Sequence, residues 1–416
     1  MRNPINRRVA LLAGASLGAL GVALPALAQA FDAAAYPLAL DQLSGQGYAA
    51  YVESYNSLGF HYNAILDRAT DCEIPPLAGL ALECRTSPIH LWGQIDYQWR
   101  KKDGDLEVAN SHAGRWSALL GFDVNVGSLA MLGLSVGKVD NDVDLRDSST
   151  SSIKGDGWQL GAYGVFDPGR FYIKALTTYS SYDGDARRII DLTPFGGTIF
   201  GEVTGDPDVR LWTFGLHGGY RIPMGPTSVI TPFLIYDYTN ARLRDFREGG
   251  ATGAELIVNG GGAKHSWLTG GVKWAGQFGG IVPEAKLGYR HMFGDRRTSL
   301  SANFVGFEED PDFDILSTTQ KAGAVIAGLA AGGKIGMVDM RIGYEGAYNN
   351  DVTEHSAFLK LIVPLGGSAP EPLLPPPPPA TQATQTCPDG TAIAATEMCP
   401  APPPPPPPAA PAPERG

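Results

Sequence analysis

Beyond Leu24 the sequence has no apolar run approaching the roughly 20 residues a membrane-crossing helix needs, which excludes a helical span there. Positive charge is also short. Thirty-two Lys and Arg stand against 43 Asp and Glu, a net charge of -11 that argues against nucleic acid as a partner. Cysteine is limited to four residues, without Cys-x-x-Cys spacing and without histidines clustered beside them, so no metal or cofactor is expected.

The early apolar run, Val9 to Leu24, follows the basic Arg2, Arg7 and Arg8 and precedes the small-x-small site Ala28-Gln29-Ala30. This pattern predicts a secretory signal peptide over residues 1–30, cut after Ala30. Export makes disulfides the default for cysteine. Cys72 with Cys84, and Cys387 with Cys399, are equally spaced, and each pair is expected to staple a loop. On the loop-entropy model each bridge is worth about 3 kcal/mol.

What the sequence does have is alternation. In Arg115 to Asn125, Trp116, Ala118, Leu120, Phe122 and Val124 share one parity, and Arg115, Ser117, Gly121, Asp123 and Asn125 the other. Such segments recur from residue 88 to residue 365, separated by Gly-, Asp-, Pro- and Ser-rich breaks. A sheet apolar on one face and polar on the other can stand in hydrocarbon only if it closes, because an open edge would leave backbone groups unsatisfied. The pattern predicts an all-β membrane protein, a 12-stranded antiparallel transmembrane β-barrel. Its strands are expected near 89–101, 113–126, 129–139, 157–166, 170–182, 209–222, 228–239, 266–278, 281–293, 321–330, 335–348 and 354–363. Connections alternate between short turns, such as Gly127-Ser128 and Gly279-Gly280, and long polar loops. That asymmetry belongs to bacterial outer-membrane barrels, with short turns in the periplasm.

Parity also predicts what faces where. Ile281, Pro283, Ala285, Leu287 and Tyr289 should face lipid, as should Val338, Met340, Ile342 and Tyr344. Glu284, Lys286, Arg290, Asp339, Arg341 and Glu345 should face the lumen, where opposite charges can pair. Trp92, Trp99, Trp158, Trp212, Tyr182, Tyr220 and Tyr238 lie near strand ends and read as interfacial girdles.

Two regions flank the barrel. Residues 31–87 carry Leu40, Leu43, Tyr51, Val52, Tyr55, Leu58, Ile65 and Leu66 at loosely helical spacing among polar residues, a suitable filling for a polar lumen. Residues 366–416 hold more than half of the chain's prolines, including Pro375 to Pro379 and Pro402 to Pro408. Such runs form extended polyproline II, so this tail is expected to be a disordered, Pro-rich periplasmic spacer.

Catalytic patterns fail on context. Gly133-Leu134-Ser135-Val136-Gly137 matches a nucleophile elbow but falls mid-strand, without the strand-to-helix turn that would expose the hydroxyl. His265-Ser266 and His355-Ser356 are sequence neighbours, so the members of each pair point to opposite faces. Asp140, Asp142 and Asp144 lack the Gly and Glu of a calcium loop and read as a solvated acidic loop. The chain is not expected to be an enzyme.

Several short stretches, in order, resemble the translocator β-domain of bacterial autotransporters, the type V secretion family. Leu40-Asp41-Gln42-Leu43-Ser44-Gly45 with Ala64-Ile65-Leu66-Asp67-Arg68 resembles the pre-barrel segment. Leu91-Trp92-Gly93-Gln94 resembles the first strand and Leu120-Gly121-Phe122-Asp123 the second. Gly288-Tyr289-Arg290-His291-Met292-Phe293 resembles a late strand, with Tyr where the family has Trp. The resemblance implies an outer-membrane barrel threaded by the preceding helix. Its partners would be membrane lipid and lipopolysaccharide, with periplasmic chaperones and the barrel-assembly machinery during biogenesis. Two departures stand out. Only residues 31–37 precede the pre-barrel segment, a vestigial passenger at most. A tail also follows the last strand, resembling linkers of outer-membrane protein A relatives and suggesting a cell-wall or periplasmic partner. The alternative to a translocator is a structural, porin-like protein tethered by that tail.

Overall fold

The computed structural model describes residues 42–55, 87–104, 108–127, 129–146, 151–193, 199–366, 384–387, 392–394 and 398. Twelve long strands form the wall. They are β1 (Ile89–Lys102), β2 (Asn110–Val126), β3 (Ala130–Arg146), β4 (Ser152–Phe166), β5 (Phe171–Asp191), β7 (Val209–Tyr220), β9 (Ser228–Leu243), β11 (Leu256–Gly276), β12 (Ile281–Gly294), β15 (Gly323–Ile335), β16 (Val338–Tyr348) and β17 (Val352–Leu365). Each pairs antiparallel with its neighbours, and β1 pairs with both β2 and β17. The sheet therefore has no free edge, which is what lets it stand in hydrocarbon.

Short strands extend the wall: β6 (Phe200–Gly205), β10 (Phe246–Arg247), β13 (Ser299–Phe304) and β14 (Phe313–Leu316) at the long-loop end, and β8 (Ile222–Pro223) at the short-turn end. Where β11 breaks register between Val258 and Gly261, Gly260, Gly261 and Gly262 all take positive φ, a bulge that residues with a Cβ would enter only under strain. One helix, α1 (Gln46–Tyr55), is present among the described residues.

The outer face reads off the alternation. On β3 Leu132, Leu134 and Val136 are exposed, and the next outward residue is Lys138. On β5 the outward set runs from Phe171 and Ile173 to Tyr179, then turns to Asp183, Asp185 and Arg187. Phe171 to Tyr179 is about nine residues, close to what a tilted strand needs to cross a bilayer core. The wall therefore continues well past its apolar band as a collar at the long-loop end.

This extension corrects one expectation. Asp140, Asp142 and Asp144 are not in a loop; they form the outer face of β3, while Val139, Val143 and Leu145 point inward. Outside the membrane the outward residues become polar, so the strand looks like a loop if only that parity is followed. Two girdle assignments change as well. Trp92 is 1% exposed and Tyr182 is fully buried, because each shares parity with lumenal neighbours. Trp99, Trp158, Trp212 and Tyr220 are exposed.

The segment after residue 367 is a separate unit. The described part is a small antiparallel hairpin, β18 (Thr384–Thr386) with β19 (Ala392–Ala394). An isolated two-stranded hairpin is marginal in water, so this one needs further tethering. Cys387 is buried beside its first strand in sequence. Cys72, Cys84, Cys399, the predicted signal peptide and the proline runs lie outside the described residues.

Candidate functional site

The site is the inside of the barrel, which is filled in three layers. The outermost is α1. Gly45 opens it with φ 68°, and the Tyr48 N–H donates to the Gly45 carbonyl at 3.0 Å. A Cβ on Gly45 would sit 2.8 Å from Leu256 Cδ1, so this turn suits glycine in both conformation and space. All ten helix residues are buried.

The helix does not rest in a polar lumen, as its mixed sequence suggested. Tyr48, Ala49, Tyr51, Val52 and Tyr55 pack against Val139, Val143, Ile153, Tyr182, Val209, Leu211, Leu243, Leu256 and Ile315 of the collar. This is the core of a soluble protein built inside the end of a barrel. Burying each such side chain contributes roughly 1.5–3 kcal/mol before ordering costs. Glycine in the wall makes room: a Cβ on Gly155 would lie 2.0 Å from the Tyr51 hydroxyl. Tyr55 stacks on Tyr182 with centroids 4.1 Å apart.

Polar contacts fix the helix in register. Glu53 accepts from Lys102 Nζ at 2.6 Å on both oxygens and from Arg100 Nη2 at 2.9 Å. Lys102 also donates to the Thr318 carbonyl at 2.8 Å. Burial alone would raise the Glu53 carboxyl, but the Lys102 and Arg100 charges prevail and lower it to about 2. Arg115 donates to the Ser54 carbonyl, and Asn141 to Ser54 Oγ at 2.8 Å. At the outer end the Tyr48 hydroxyl donates to Glu248 at 2.6 Å. Arg188 forks onto the same carboxylate and reaches the Gln42 carbonyl at 2.7 Å. Burial, then the Glu248 charge, pushes the Tyr48 phenol well above its ordinary range, so it stays a donor.

The middle layer is ionic. Arg341 donates to Glu284 at 2.6 Å, and Lys273 lies 3.0 Å from the same carboxylate. Lys286 pairs with Glu345, and Arg290 stands 3.6 Å from Asp237 while lying over the Trp267 ring. Glu284, Lys286, Arg290, Arg341 and Glu345 thus meet oppositely charged partners along the stretch of wall from β9 to β16. Asp339 lies lower on β16, opposite Lys334 in register. Between these groups and Tyr172, His217 and Phe233 is a cavity of about 50 Å³, room for little more than water.

The third layer lies towards the short-turn end. Trp92 Nε1 donates to the Tyr163 hydroxyl at 2.7 Å, and Tyr163 donates to Asp123 at 2.9 Å. His90 Nδ1 is 2.8 Å from the other Asp123 oxygen. The Trp92 ring covers Gly121, its register partner, where a Cβ would clash at 2.2 Å.

Sequence reasoning missed Arg100, Lys102, Arg115, Arg188 and Glu248. The inward parity of Arg100 and Lys102 at the end of β1 was a usable signal for the first two. Glu248 had none, because it lies beside β10, a two-residue strand. Ser135 is buried mid-wall on β3, away from any strand-to-helix turn.

Comparison with known proteins agrees with this geometry. The family model described as autotransporter beta-domain matches residues 91–345, well over half of the chain. The translocator domain of autotransporter NalP from Neisseria meningitidis superposes with a TM-score of 0.60 at 16% identity, covering 77% of this chain and 99% of that one. The beta domain of the Bordetella autotransporter BrkA gives 0.51 at 16% identity, covering 67% and 100%. Comparison with curated sequences finds no match.

Proposed function

The chain belongs to the autotransporter beta-domain family, and we propose that it is an outer-membrane translocator-type barrel that keeps its own pre-barrel helix as a permanent stopper. The observation that carries this reading is α1 sunk in the apolar collar. A transient threading segment gains little from ten buried residues and a buried carboxylate held by two cations. A resident plug gains a great deal.

In this reading the signal peptide exports the chain, chaperones and the barrel-assembly machinery insert it, and the short turns face the periplasm. Gln42 near Arg188 is the outermost described residue of the helix segment and Tyr55 lies deeper. The residues from 31 to the helix are therefore presented outside as a vestigial passenger. The Cys72–Cys84 and Cys387–Cys399 pairs form disulfides, and the Pro-rich tail reaches towards a cell-wall partner. A porin-like role is less well supported, because the lumen is occupied at three levels.

The reading is tested by inserting a short epitope after Phe31 and probing intact cells with antibody. Surface labelling supports a translocator that delivers this end outward. An epitope reached only after the outer membrane is permeabilised would sink it.

A further inference from the structure

The outer faces of β7, β9 and β11 share a register that can be followed row by row. Leu216, Tyr236 and Leu268 form one row within the apolar band. Above it come Phe214, Tyr238 and Ser266, then Trp212, Asn240 and Lys264, and finally Arg210 directly opposite Arg242. Arg210, Arg242 and Lys264 are all exposed. Cα atoms opposite each other across antiparallel strands are about 5 Å apart, and like charges placed so repel.

Elsewhere on the collar the cations are matched. Lys138 lies 3.6 Å from Asp140 and 3.5 Å from Asp156, Arg187 is 2.5 Å from Glu202, and Lys101 is 3.2 Å from Asp103. One row above the patch, Arg244 pairs with Asp208 at 3.3 Å. Arg210 and Arg242 have no such partner among the described residues. Asp295 accepts from the Lys264 main-chain N–H at 2.9 Å. In a chain of net charge -11, an unmatched trio of cations is conspicuous.

We propose that this face binds the phosphate of a membrane lipid. Arg210 and Arg242 would grip its oxygens, Lys264 would flank them, and the acyl chains would lie on Trp212, Phe214, Leu216 and Leu268. A phosphomonoester suits the pair because its oxygens can accept from both guanidinium forks, and the bridging anion removes their repulsion. The height also fits. Lys264 stands level with Trp212 of the aromatic belt and the two arginines one row above it, about 7 Å higher, where headgroup phosphate meets a barrel wall. This inference requires a bilayer around the barrel but not a plugged pore, so it can fail while the stopper reading stands, and the reverse.

The test uses the full-length protein in phosphatidylcholine nanodiscs containing a minority of phosphatidic acid, a phosphomonoester lipid. Lipids retained on the released barrel are counted by native mass spectrometry. The wild type should enrich phosphatidic acid, and R210Q/R242Q should lose that enrichment about tenfold. R187Q, which changes a paired cation elsewhere on the collar, should keep it. Heat-modifiable gel migration verifies folding, and the single variants R210Q and R242Q serve if the double variant misfolds. Unchanged enrichment in folded R210Q/R242Q overturns the proposal. So does millimolar inorganic phosphate displacing the lipid completely, since the patch would then be an anion site without a lipid requirement.

Discussion

Inside the collar the Lys102 ammonium lies 2.6 Å from both carboxylate oxygens of Glu53, joining the helix to the first strand of the wall. Both side chains are nearly inaccessible, 3% and 7% exposed. A buried pair of this kind is costly to break from one side, because the remaining charge has no water to retreat to. Glu53→Gln should leave Lys102 and Arg100 uncompensated and weaken the helix seat by about 3–5 kcal/mol. Hydrogen exchange read at the helix amides should speed up strongly, while the strand amides of the apolar band hardly change. Equal protection in the variant would show that the apolar collar alone holds the helix.

The same pair makes the seat acid-sensitive. The folded Glu53 carboxyl titrates near 2, below its ordinary 4.5. A carboxyl depressed on folding contributes stability that is fully present above its unfolded value and fades as pH falls through the folded one. Helix protection should thus be constant from neutral pH to about 5 and decline between about 4.5 and 2. In Glu53→Gln that decline should be absent. The measurement is helix-amide exchange, corrected for its intrinsic pH dependence, across this range in both proteins.

Gly155 gives a steric version of the same test. Its missing Cβ accommodates the Tyr51 hydroxyl. Gly155→Val should push Tyr51 out of its seat at a cost of about 1–3 kcal/mol while the β-branched residue suits the strand itself. Gly155→Val combined with Tyr51→Ala should recover part of that loss. Protease nicking within the pre-barrel segment, compared across the three proteins, would read it out.

At the other end, Trp92 is buried on the inner side of the wall, over Gly121 and bonded to Tyr163. Trp92→Phe keeps much of the ring over Gly121 but deletes the N–H that reaches Tyr163, and should cost about 1 kcal/mol. Trp92→Ala removes the ring as well and should cost about 3–5 kcal/mol. Urea unfolding in detergent micelles, followed by tryptophan fluorescence and by gel migration, would rank the two.

The wall was legible because membrane strands expose two chemistries in alternation, as on β12, where Ile281, Leu287 and Tyr289 are exposed and Val282 and Arg290 are buried. The collar was not. Past Val136 the outward residues become Lys138, Asp140, Asp142 and Asp144, so the lipid signal ends while the strand goes on. The inward Val139, Val143 and Leu145 carried the continuation, but apolar inward residues contradict the polar lumen a barrel leads one to expect. Trp92 was misplaced for a related reason. A tryptophan near a strand end suits an interface, and only its shared parity with His90 and Gln94 points it inward. The seat of α1 depends on Glu248 and Arg188, about 60 residues apart, and no local pattern links them.

The stopper is tested most directly by single-channel conductance in planar bilayers, comparing the intact protein with a chain lacking residues 31–68. The intact barrel should be closed or barely conducting, and the deleted one a stable, ohmic pore of much larger conductance. A large open pore in the intact protein, unchanged by the deletion, would show that the helix is not a stopper.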